Sequence, residues 1–390
     1  MDLQMSLQNQ TSVALLVTMH LLLTEAENTN CVISPLSLYI ALSSISPAAK
    51  GSTLSQLLLF LKSGSGNSLA SLASQLVHTV LADGSKSGGP KLLTGTRVWV
   101  EKSLSLKSSF RQVLQTSYNA LAGPADFIFK PEEVRTEANT WVAKQTNGLI
   151  KDLLPPGSVT DLTRLIIANA IYFKGVWKTK FDAAATTVGD FHLLNGGVVR
   201  VPFMTSLKDQ FVGAYEGFKV ARLPYFQGKD KRQFSMYILL PDAVDGLPQL
   251  IQKVLSDPKL LSQRLPQGQV EIGDFRIPRF KISYGFDATG LLEGMGLRAP
   301  FSGQADFSNM FDSPMGPSIF ISGVFHKAYI QVDEEGTVAA AATGVVATAT
   351  SVALSRIDFV ADHPFLFMIR EDTSGALLFT GQVLKPTESV

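Results

Sequence analysis

Apolar residues recur at helical spacing in the first third of the chain. In SLASLASQLVHTVLAD, one face carries Leu69, Leu72, Leu76 and Val80, which predicts an amphipathic helix packed on a core. The segment PEEVRTEANTWVAKQTNGLIKDLLPPG begins with proline and early acids, so it predicts a second helix that stops at the Pro-Pro-Gly breaker. Helices therefore dominate the early part of the sequence.

The N-terminal run SVALLVTMHLLL has two interpretations, an apolar helix on the core or the apolar region of a secretory signal. No Lys or Arg precedes it, and no small-residue cleavage site follows in TEAENTN. We therefore predict a core helix. No apolar run in the sequence approaches the roughly 20 residues that span a bilayer.

Later in the chain the pattern favours strands. Apolar and β-branched runs bounded by turn residues occupy 165–173, 234–242, 270–283, 328–336 and 365–384. Early helices and late strands, without regular alternation, are typical of an α+β fold. Because no long linker interrupts the chain, we expect residues 1–390 to form one domain.

One run near the C-terminus is unusual. Between Gly336 and Ser355 lie eighteen residues without a charge, a proline or an aromatic ring. As a strand, the run would have small, uncharged side chains on both faces, so it could enter a sheet without burying a charge. One face would carry Thr337, Ala339, Ala341, Thr343, Val345, Ala347 and Ala349, and the other Val338, Ala340, Ala342, Gly344, Val346, Thr348 and Thr350. On composition alone, a low-complexity surface linker is an equally good interpretation.

Composition narrows the class of protein. The chain has 390 residues, 45% of them hydrophobic, and a formal net charge of +1. This is globular composition, and the near-neutral charge disfavours nucleic acid or an anionic membrane as the main partner. Cys31 is the single cysteine, so no internal disulfide can form.

No motif in the sequence indicates catalysis or metal binding. The segment GMGLRA (294–299) has the form of a dinucleotide fingerprint, but it follows a helical segment and Pro300 comes directly after it, so we expect a loop. The five histidines have no metal-ligand spacing. The basic residues Lys229, Lys231 and Arg232 flank Asp230, which favours a solvated turn over a polyanion site.

Ordered motifs along most of the chain resemble those of the serpin family, and most closely the plant Z-type serpins. They include NCVISPLSLYIAL (30–42), NTWVAKQTNGLI (139–150), LIIANAIYFKGVWKTKF (165–181), FHKAYIQVDEEGT (325–337) and the later DFVADHPFLFMI. The resemblance implies three β-sheets, about nine helices and an exposed reactive-centre loop at about 336–359. For the uncharged run between Gly336 and Ser355, the resemblance favours a segment that can enter a sheet as a strand over a surface linker.

The function that the resemblance implies is inhibition, not catalysis. A serpin acts as a suicide substrate: a protease attacks the loop, and insertion of the cleaved loop into the main sheet traps the acyl-enzyme. The expected partner is a serine protease, with papain-like cysteine proteases as a further class, held in a covalent 1:1 complex. We expect a monomer with no cofactor and no metal. The lack of a signal-peptide pattern favours the cytoplasm, and release to the extracellular space stays open. The alternative is a non-inhibitory serpin that serves as a storage, chaperone or carrier protein.

Individual residues match serpin motifs by position. Trp177 and Arg279 match the breach, at the top of the sheet where insertion begins, and Arg279 is the expected basic partner of Glu334. Val338 departs from the Glu usual in plant serpins, and we expect it to be tolerated. The proximal hinge is matched by Glu334, Glu335, Gly336, Thr337, Val338, Ala339, Ala340, Ala341 and Ala342, and the polar shutter cluster by Ser34, Ser37, Asn169 and His326.

The scissile bond has three candidates. Counting fourteen positions from the hinge glycine gives the bond between Thr350 and Ser351. Plant relatives have Leu-Arg before the bond where this chain has Ala-Thr, so small subsites would suit an elastase-like protease. Cleavage after Leu354 by a chymotrypsin-like enzyme, or after Arg356 by a trypsin-like or papain-like enzyme, stays open.

Overall fold

A computed structural model describes residues 3–312, 319–337 and 356–387. The helices are α1 (Leu3–Leu23), α2 (Pro35–Ser43), α3 (Gly51–Phe60), α4 (Gly66–His78), α5 (Ser108–Tyr118), α6 (Pro131–Gln145), α7 (Leu247–Leu255), α8 (Pro258–Gln263) and α9 (Thr289–Gly294). The strands are β1 (Cys31–Ile33), β2 (Lys91–Glu101), β3 (Leu121–Ala125), β4 (Leu165–Val176), β5 (Thr187–His192), β6 (Val198–Thr205), β7 (Phe211–Tyr215), β8 (Phe218–Pro224), β9 (Phe234–Pro241), β10 (Ile272–Pro278), β11 (Phe280–Asp287), β12 (Gly323–Val332), β13 (Gly336–Thr337), β14 (Ile357–Val360), β15 (Phe365–Glu371) and β16 (Leu377–Val383).

The strands form three sheets. The central sheet has the order β11-β12-β4-β2-β3, and the short β13 also pairs with β4. The second sheet has the order β1-β16-β15-β9-β8-β7, and the upper sheet has the order β14-β10-β6-β5. This architecture confirms the α+β fold that the pattern of helices and strands predicted. The three sheets, and the nine α-helices in the described part of the chain, agree with what the resemblance implied.

Strand β4 is buried on both faces, which explains its continuous apolar sequence. Ile167 and Phe173 point into the main core, which the second sheet and the N-terminal helices share. Ile166 and Tyr172 point the other way, into a smaller cluster beneath α6. A segment inserted beside β4 must therefore suit a core on each side.

The predicted helices form, but the C-terminal boundaries of two of them are wrong. Helix α4 buries Leu69, Leu72 and Leu76 but ends at His78, so Val80 is buried in the turn that follows the helix. The N-terminal run lies within α1, whose Leu15 and Leu21 are fully buried. No helix among the described residues is long and apolar enough to cross a membrane.

Helix α6 ends at Gln145, well before the Pro-Pro-Gly breaker. The hydroxyl of Thr146 accepts a hydrogen bond from the N–H of Ile150 at 3.1 Å, and this bond closes a turn. Gly148 adopts a φ of +78°, a left-handed conformation that glycine allows and that terminates helices. These local bonds end the helix before the prolines are reached.

The run 270–283 is two strands in two different sheets, not one strand. Strand β10 belongs to the upper sheet and β11 to the central sheet, and the chain changes sheets at Arg279. The Arg279 N–H donates to the Pro202 carbonyl at 3.0 Å. The change of sheet places the Arg279 side chain at the junction of the two sheets, and the apolar pattern alone does not indicate it.

The GMGLRA segment has the loop-like surroundings that the sequence predicted. It begins at the end of α9, and Gly296 has a φ of +98°, so the chain turns there instead of starting a phosphate-binding helix. A single short 3-10 turn follows at Ala299–Phe301.

The basic turn around Asp230 is only partly solvated, which corrects the sequence-based interpretation. Lys229 and Lys231 are exposed, but the Arg232 side chain is 15% exposed and forms an ion pair with Asp230 at 2.5 Å. Its Nη1 also donates to three carbonyl oxygens beyond the end of α4, those of Thr79, Val80 and Ala82, at 2.7–2.9 Å. Arg232 therefore fastens the β8–β9 connection to the end of α4.

We predict that Arg232→Gln lowers the free energy of unfolding by about 3 kcal/mol, because it leaves Asp230 unpaired and the carbonyls without their donor. Urea unfolding curves measure the loss. The matched control is Lys231→Gln, at an exposed position, which should change stability by no more than about 0.5 kcal/mol. Equal effects of the two substitutions would contradict the structural role of Arg232.

Candidate functional site: the upper end of the central sheet

In the central sheet, the neighbouring strands β4 and β12 separate at their C-terminal ends, which we call the upper ends. Strands β4 and β12 run parallel and are paired from Gly323 and Ile166 up to Tyr329 and Tyr172. Above that point, β13 pairs antiparallel with β4, with Gly336 opposite Val176 and Thr337 opposite Gly175. On its other side, Gly336 forms a bridge with Asp333, at the end of β12. A strand thus already begins between β12 and β4.

The turn that leads into β13 requires a glycine. Gly336 has a φ of +147°, and a Cβ on it would lie 2.1 Å from the Gly175 carbonyl oxygen. The Asp333 carboxylate accepts the Glu335 N–H at 3.1 Å, which supports the turn. Burial raises the pKa of Asp333 and the nearby Glu334 adds to this, whereas the hydrogen bonds from the backbone oppose it.

Aromatic side chains hold the start of β13 in place. The Thr337 side chain is fully buried and its hydroxyl lies 2.9 Å from that of Tyr225, whose pKa is raised by burial. Tyr225 stacks on Trp177 with ring centroids 4.6 Å apart. The Trp177 indole donates to the Asp333 carbonyl at 2.8 Å, and its backbone N–H donates to the Glu335 carbonyl at 2.8 Å. Trp177 thus binds both ends of the turn.

The two hinge acids have separate partners. Glu334 accepts a hydrogen bond from the Thr186 hydroxyl at 2.6 Å, while the Arg279 guanidinium is farther away, at 3.4 Å. Glu335 forms an ion pair with Lys180. Because the Arg279 side chain is 46% exposed, its long contact with Glu334 contributes little to stability. The partly buried hydrogen bond from the Thr186 hydroxyl is therefore the closer restraint on Glu334.

Lower in the same sheet, the structure brings Ser34, Ser37, Asn169 and His326 into one buried cluster. Ser34 caps α2 by accepting the Ser37 N–H at 3.3 Å, the expected role of serine before a proline at the start of a helix. The Asn169 side-chain oxygen accepts from the Ser37 hydroxyl at 2.7 Å and lies 2.8 Å from His326 Nδ1. The Asn169 amide nitrogen donates to the Thr96 hydroxyl at 2.9 Å.

His326 serves this cluster as a neutral side chain. Its Nε2 accepts the Ser34 N–H at 3.1 Å, so the ring proton must sit on Nδ1 and point to Asn169. Complete burial lowers the pKa of His326 to about 3. The hydrogen bond between His326 and Asn169 joins β12 directly to β4.

Part of the predicted site lies outside the described residues: Val338, Ala339, Ala340, Ala341, Ala342, Thr350, Ser351 and Leu354. Arg356 is described. Its guanidinium forms an ion pair with Glu271, and the next residue begins β14, which pairs with β10.

Sequence reasoning missed several residues that complete the site: Lys180, Thr186, Tyr225, Thr96 and Glu271. Thr186 and Tyr225 are distant in sequence from the hinge residues they contact, by 148 and 112 positions. No local pattern marks such residues. Among the residues described, no three His, Cys, Asp or Glu side chains cluster as metal ligands would. The site thus consists of groups that hold a strand, with a neutral histidine below them.

We predict that His326 makes stability depend on acidity. In the unfolded chain the imidazole has a pKa of 6.5, against about 3 in the fold. Between these values the unfolded state binds the extra proton, so the free energy of unfolding falls as the pH falls, by up to about 1.4 kcal/mol per unit. Urea unfolding curves recorded between about pH 4 and 6 give the free energy of unfolding at each pH. This free energy should change less steeply with pH for His326→Gln than for the wild type. Equal slopes, or a protonated His326 ring by NMR at about pH 5, would contradict this.

Comparison with known proteins places this geometry in a family. The family model described as Serpin (serine protease inhibitor) matches residues 8–386. The chain is 49% identical to Serpin-ZX of Arabidopsis thaliana, over 99% of this chain and 100% of that protein, and 47% identical to Serpin-Z7 of Hordeum vulgare, over 100% and 98%. The structure of Arabidopsis AtSerpin1 in its native stressed conformation matches with a TM-score of 0.93, 47% identity and full coverage of both chains. The chain belongs to the serpin family, whose typical members inhibit proteases.

Proposed function

We propose that this protein inhibits serine proteases, and papain-like cysteine proteases as a second class, as a suicide substrate whose cleaved loop inserts between β4 and β12. The observation that carries the proposal is β13. Its two residues already pair with β4 in the direction that an inserted strand would take. The residues that follow Thr337 need only continue the same pairing.

The register of β13 fixes where each later residue would lie. Extending the pairs Gly336–Val176 and Gly336–Asp333 downward places Ala341 between Ile171 and Ala328. It places Thr343 between Asn169 and His326. Directly opposed residues share a face, so Ala341 and Thr343 would both point into the main core.

The side chains on that face fit this position. Ile171 and Ala328 are completely buried, so their inserted neighbour must be small and uncharged. The core-facing positions are Thr337, Ala339, Ala341, Thr343, Val345, Ala347 and Ala349. The uncharged composition of the run therefore matches the environment into which the register would bring it.

Insertion has an identifiable cost. The strands β4 and β12 must move from one strand spacing to two, from about 4.8 Å to about 9.6 Å apart. Their seven paired positions and the hydrogen bond from His326 to Asn169, 2.8 Å long, would be broken. The Thr343 hydroxyl would arrive between the two side chains and can bond to either. The uninserted fold would then be a kinetically trapped state.

Of the three candidate bonds, the pairing around Arg356 disfavours cleavage after that residue. A protease binds an extended chain on both sides of the bond it cuts, but here the chain after Arg356 is already hydrogen-bonded in the upper sheet. Asp358 also accepts the Asp274 N–H at 2.7 Å. We therefore favour the bond between Thr350 and Ser351, which lies nearer the middle of the loop.

The chemistry at that bond follows the ordinary acyl-transfer route. The protease nucleophile would add to the Thr350 carbonyl, the bond to Ser351 would break, and the Ser351 amine would leave with the proton from the nucleophile. The Thr350 acyl group would then remain on the protease as an ester, or as a thioester with a cysteine protease. Inhibition results only if the loop inserts faster than water hydrolyses that ester or thioester.

Incubation with a panel of elastase-like, chymotrypsin-like, trypsin-like and papain-like proteases tests the proposal. We expect a complex that survives a denaturing gel, with at least one member of the panel. Mass spectrometry of the released C-terminal peptide identifies the bond. If every protease cleaves the loop and none is retained, the inhibitory function fails and a storage, chaperone or carrier role takes its place.

A matched pair of variants tests the register. Ala341→Glu would place a carboxylate in the core between Ile171 and Ala328, so we expect cleavage without a stable complex. Val338→Glu adds the same charge on the opposite face, beside the half-buried Lys174 and Gln331, so the complex should still form. Loss of the complex in both variants, or in neither, would contradict the register.

A further inference from the structure

Two lysines face each other in the upper part of the central sheet. Lys91, at the start of β2, is directly opposite Lys174, near the end of β4. Their side chains point to the same side as Tyr172, away from the main core, and both are partly buried. Directly opposed residues have Cβ atoms about 5 Å apart, and like charges at such positions destabilise a sheet. Without a counter-charge, this opposed pair therefore lowers the stability of the protein.

No acidic side chain compensates the opposed pair. In the part of the chain that the structure describes, neither Lys91 nor Lys174 forms a salt bridge. On the other side of β4, the hinge acid Glu335 is already paired with Lys180. A local rule that is broken without a gain for the fold is expected at residues that serve a function.

The turn between β8 and β9 (226–232) lies beside the opposed pair. Its Phe226 N–H donates to the Val176 carbonyl, at the end of β4, at 2.7 Å, and its Lys229 N–H donates to the Ser87 carbonyl at 2.7 Å. Ser87 belongs to the loop that leads directly into β2. The turn and this loop therefore meet where the opposed lysines lie.

Positive charge exceeds negative charge in the turn and the loop. Residues 83–91 and 226–232 include five basic and two acidic side chains. Both acids have partners, because Asp230 is paired with Arg232 and Asp83 accepts two hydrogen bonds within its own loop. The surface beside the opposed lysines is therefore net positive.

A phosphate group matches this arrangement. A terminal phosphate carries nearly two negative charges at neutral pH, so it neutralises two ammonium groups, whereas a carboxylate neutralises one. The exposed Lys86 and Lys229 form no salt bridge with any described residue, so they can bind a further phosphate as point charges. Helix α4, which precedes the loop, contains no Lys or Arg, so the basic surface does not continue along it as a long polyanion would require.

We propose that Lys91 and Lys174 together bind one phosphate of a small molecule that carries at least two, and that Lys86 and Lys229 bind its next phosphate. The bound anion replaces the repulsion between the opposed lysines with two attractions. It binds only the folded protein, where the two lysines face each other, so it stabilises the fold. This binding does not require that the protein inhibit a protease.

Isothermal titration of the full, uncleaved chain with tripolyphosphate at low salt tests the proposal, with citrate as the matched ligand whose charges are carboxylates. We expect saturable 1:1 binding of tripolyphosphate and at least about tenfold weaker binding of citrate. Lys91→Gln and Lys174→Gln should each weaken tripolyphosphate binding by about tenfold, and Lys86→Gln and Lys229→Gln by several-fold. Lys259→Gln, at an exposed position on α8, should leave it unchanged.

A charge reversal separates a ligand site from a structural role. Lys91→Glu places a carboxylate opposite Lys174, so the ligand-free variant should unfold at a higher temperature than the wild type, while its binding of tripolyphosphate is lost. A ligand-free variant that is less stable than the wild type would show that Lys91 serves the fold, and would overturn the inference that it is retained for a ligand.

The binding measurements have their own contradicting outcomes. Equal binding of tripolyphosphate and citrate, no saturation below about 10 mM, or equal binding by the wild type and both glutamine variants of the opposed pair would overturn the site. A single-stranded oligonucleotide and vesicles of anionic lipid offer phosphate from other sources. If the wild type binds either of these but not tripolyphosphate, a nucleic acid or a membrane surface replaces the small ligand and the proposal fails. No protease enters these measurements, so a failed inhibition assay leaves their outcome readable.

Discussion

The pairing between β4 and β12 is the constraint on which the rest of the structure depends. These parallel strands are joined by backbone bonds up to Tyr172 and Tyr329, and by one buried bond between the Asn169 and His326 side chains. Above that height the pairing is already replaced by β13. The central sheet is therefore closed in its lower part and open at its upper end. The turn residues, the aromatic stack and the hinge acids all maintain this boundary.

Two kinds of contact maintain the boundary, and they differ in strength. The buried contacts of Thr337, Trp177 and His326 lie out of water, where an unpaired polar group is costly. The ion pairs of Arg279 and Lys180 with the hinge acids are partly exposed and contribute less. The position of the hinge thus rests on buried hydrogen bonds, while its exposed ion pairs are the contacts that a ligand or partner can change at small cost.

Much of the fold could be predicted from sequence because its signals are local. The spacing of Leu69, Leu72 and Leu76 indicated α4, and the motif that contains Asn169 indicated β4 and the family. The early end of α6 could not be predicted, because it depends on the hydrogen bond that the Thr146 hydroxyl accepts from the Ile150 N–H. The split of residues 270–283 at Arg279 depends on a change of sheet that alternation does not record. The roles of Thr186 and Tyr225 could not be predicted, because their contacts with the hinge join parts of the chain that are distant in sequence.

The proposed inhibition requires that the space between β4 and β12 accept the cleaved loop as a strand. The most direct measurement is the temperature of unfolding before and after a protease cuts the loop without being retained. An inserted strand adds backbone bonds on both of its sides and buries its core-facing side chains, so the cleaved protein should unfold at a clearly higher temperature than the intact one. An unfolding temperature that stays the same or falls after cleavage would contradict the account.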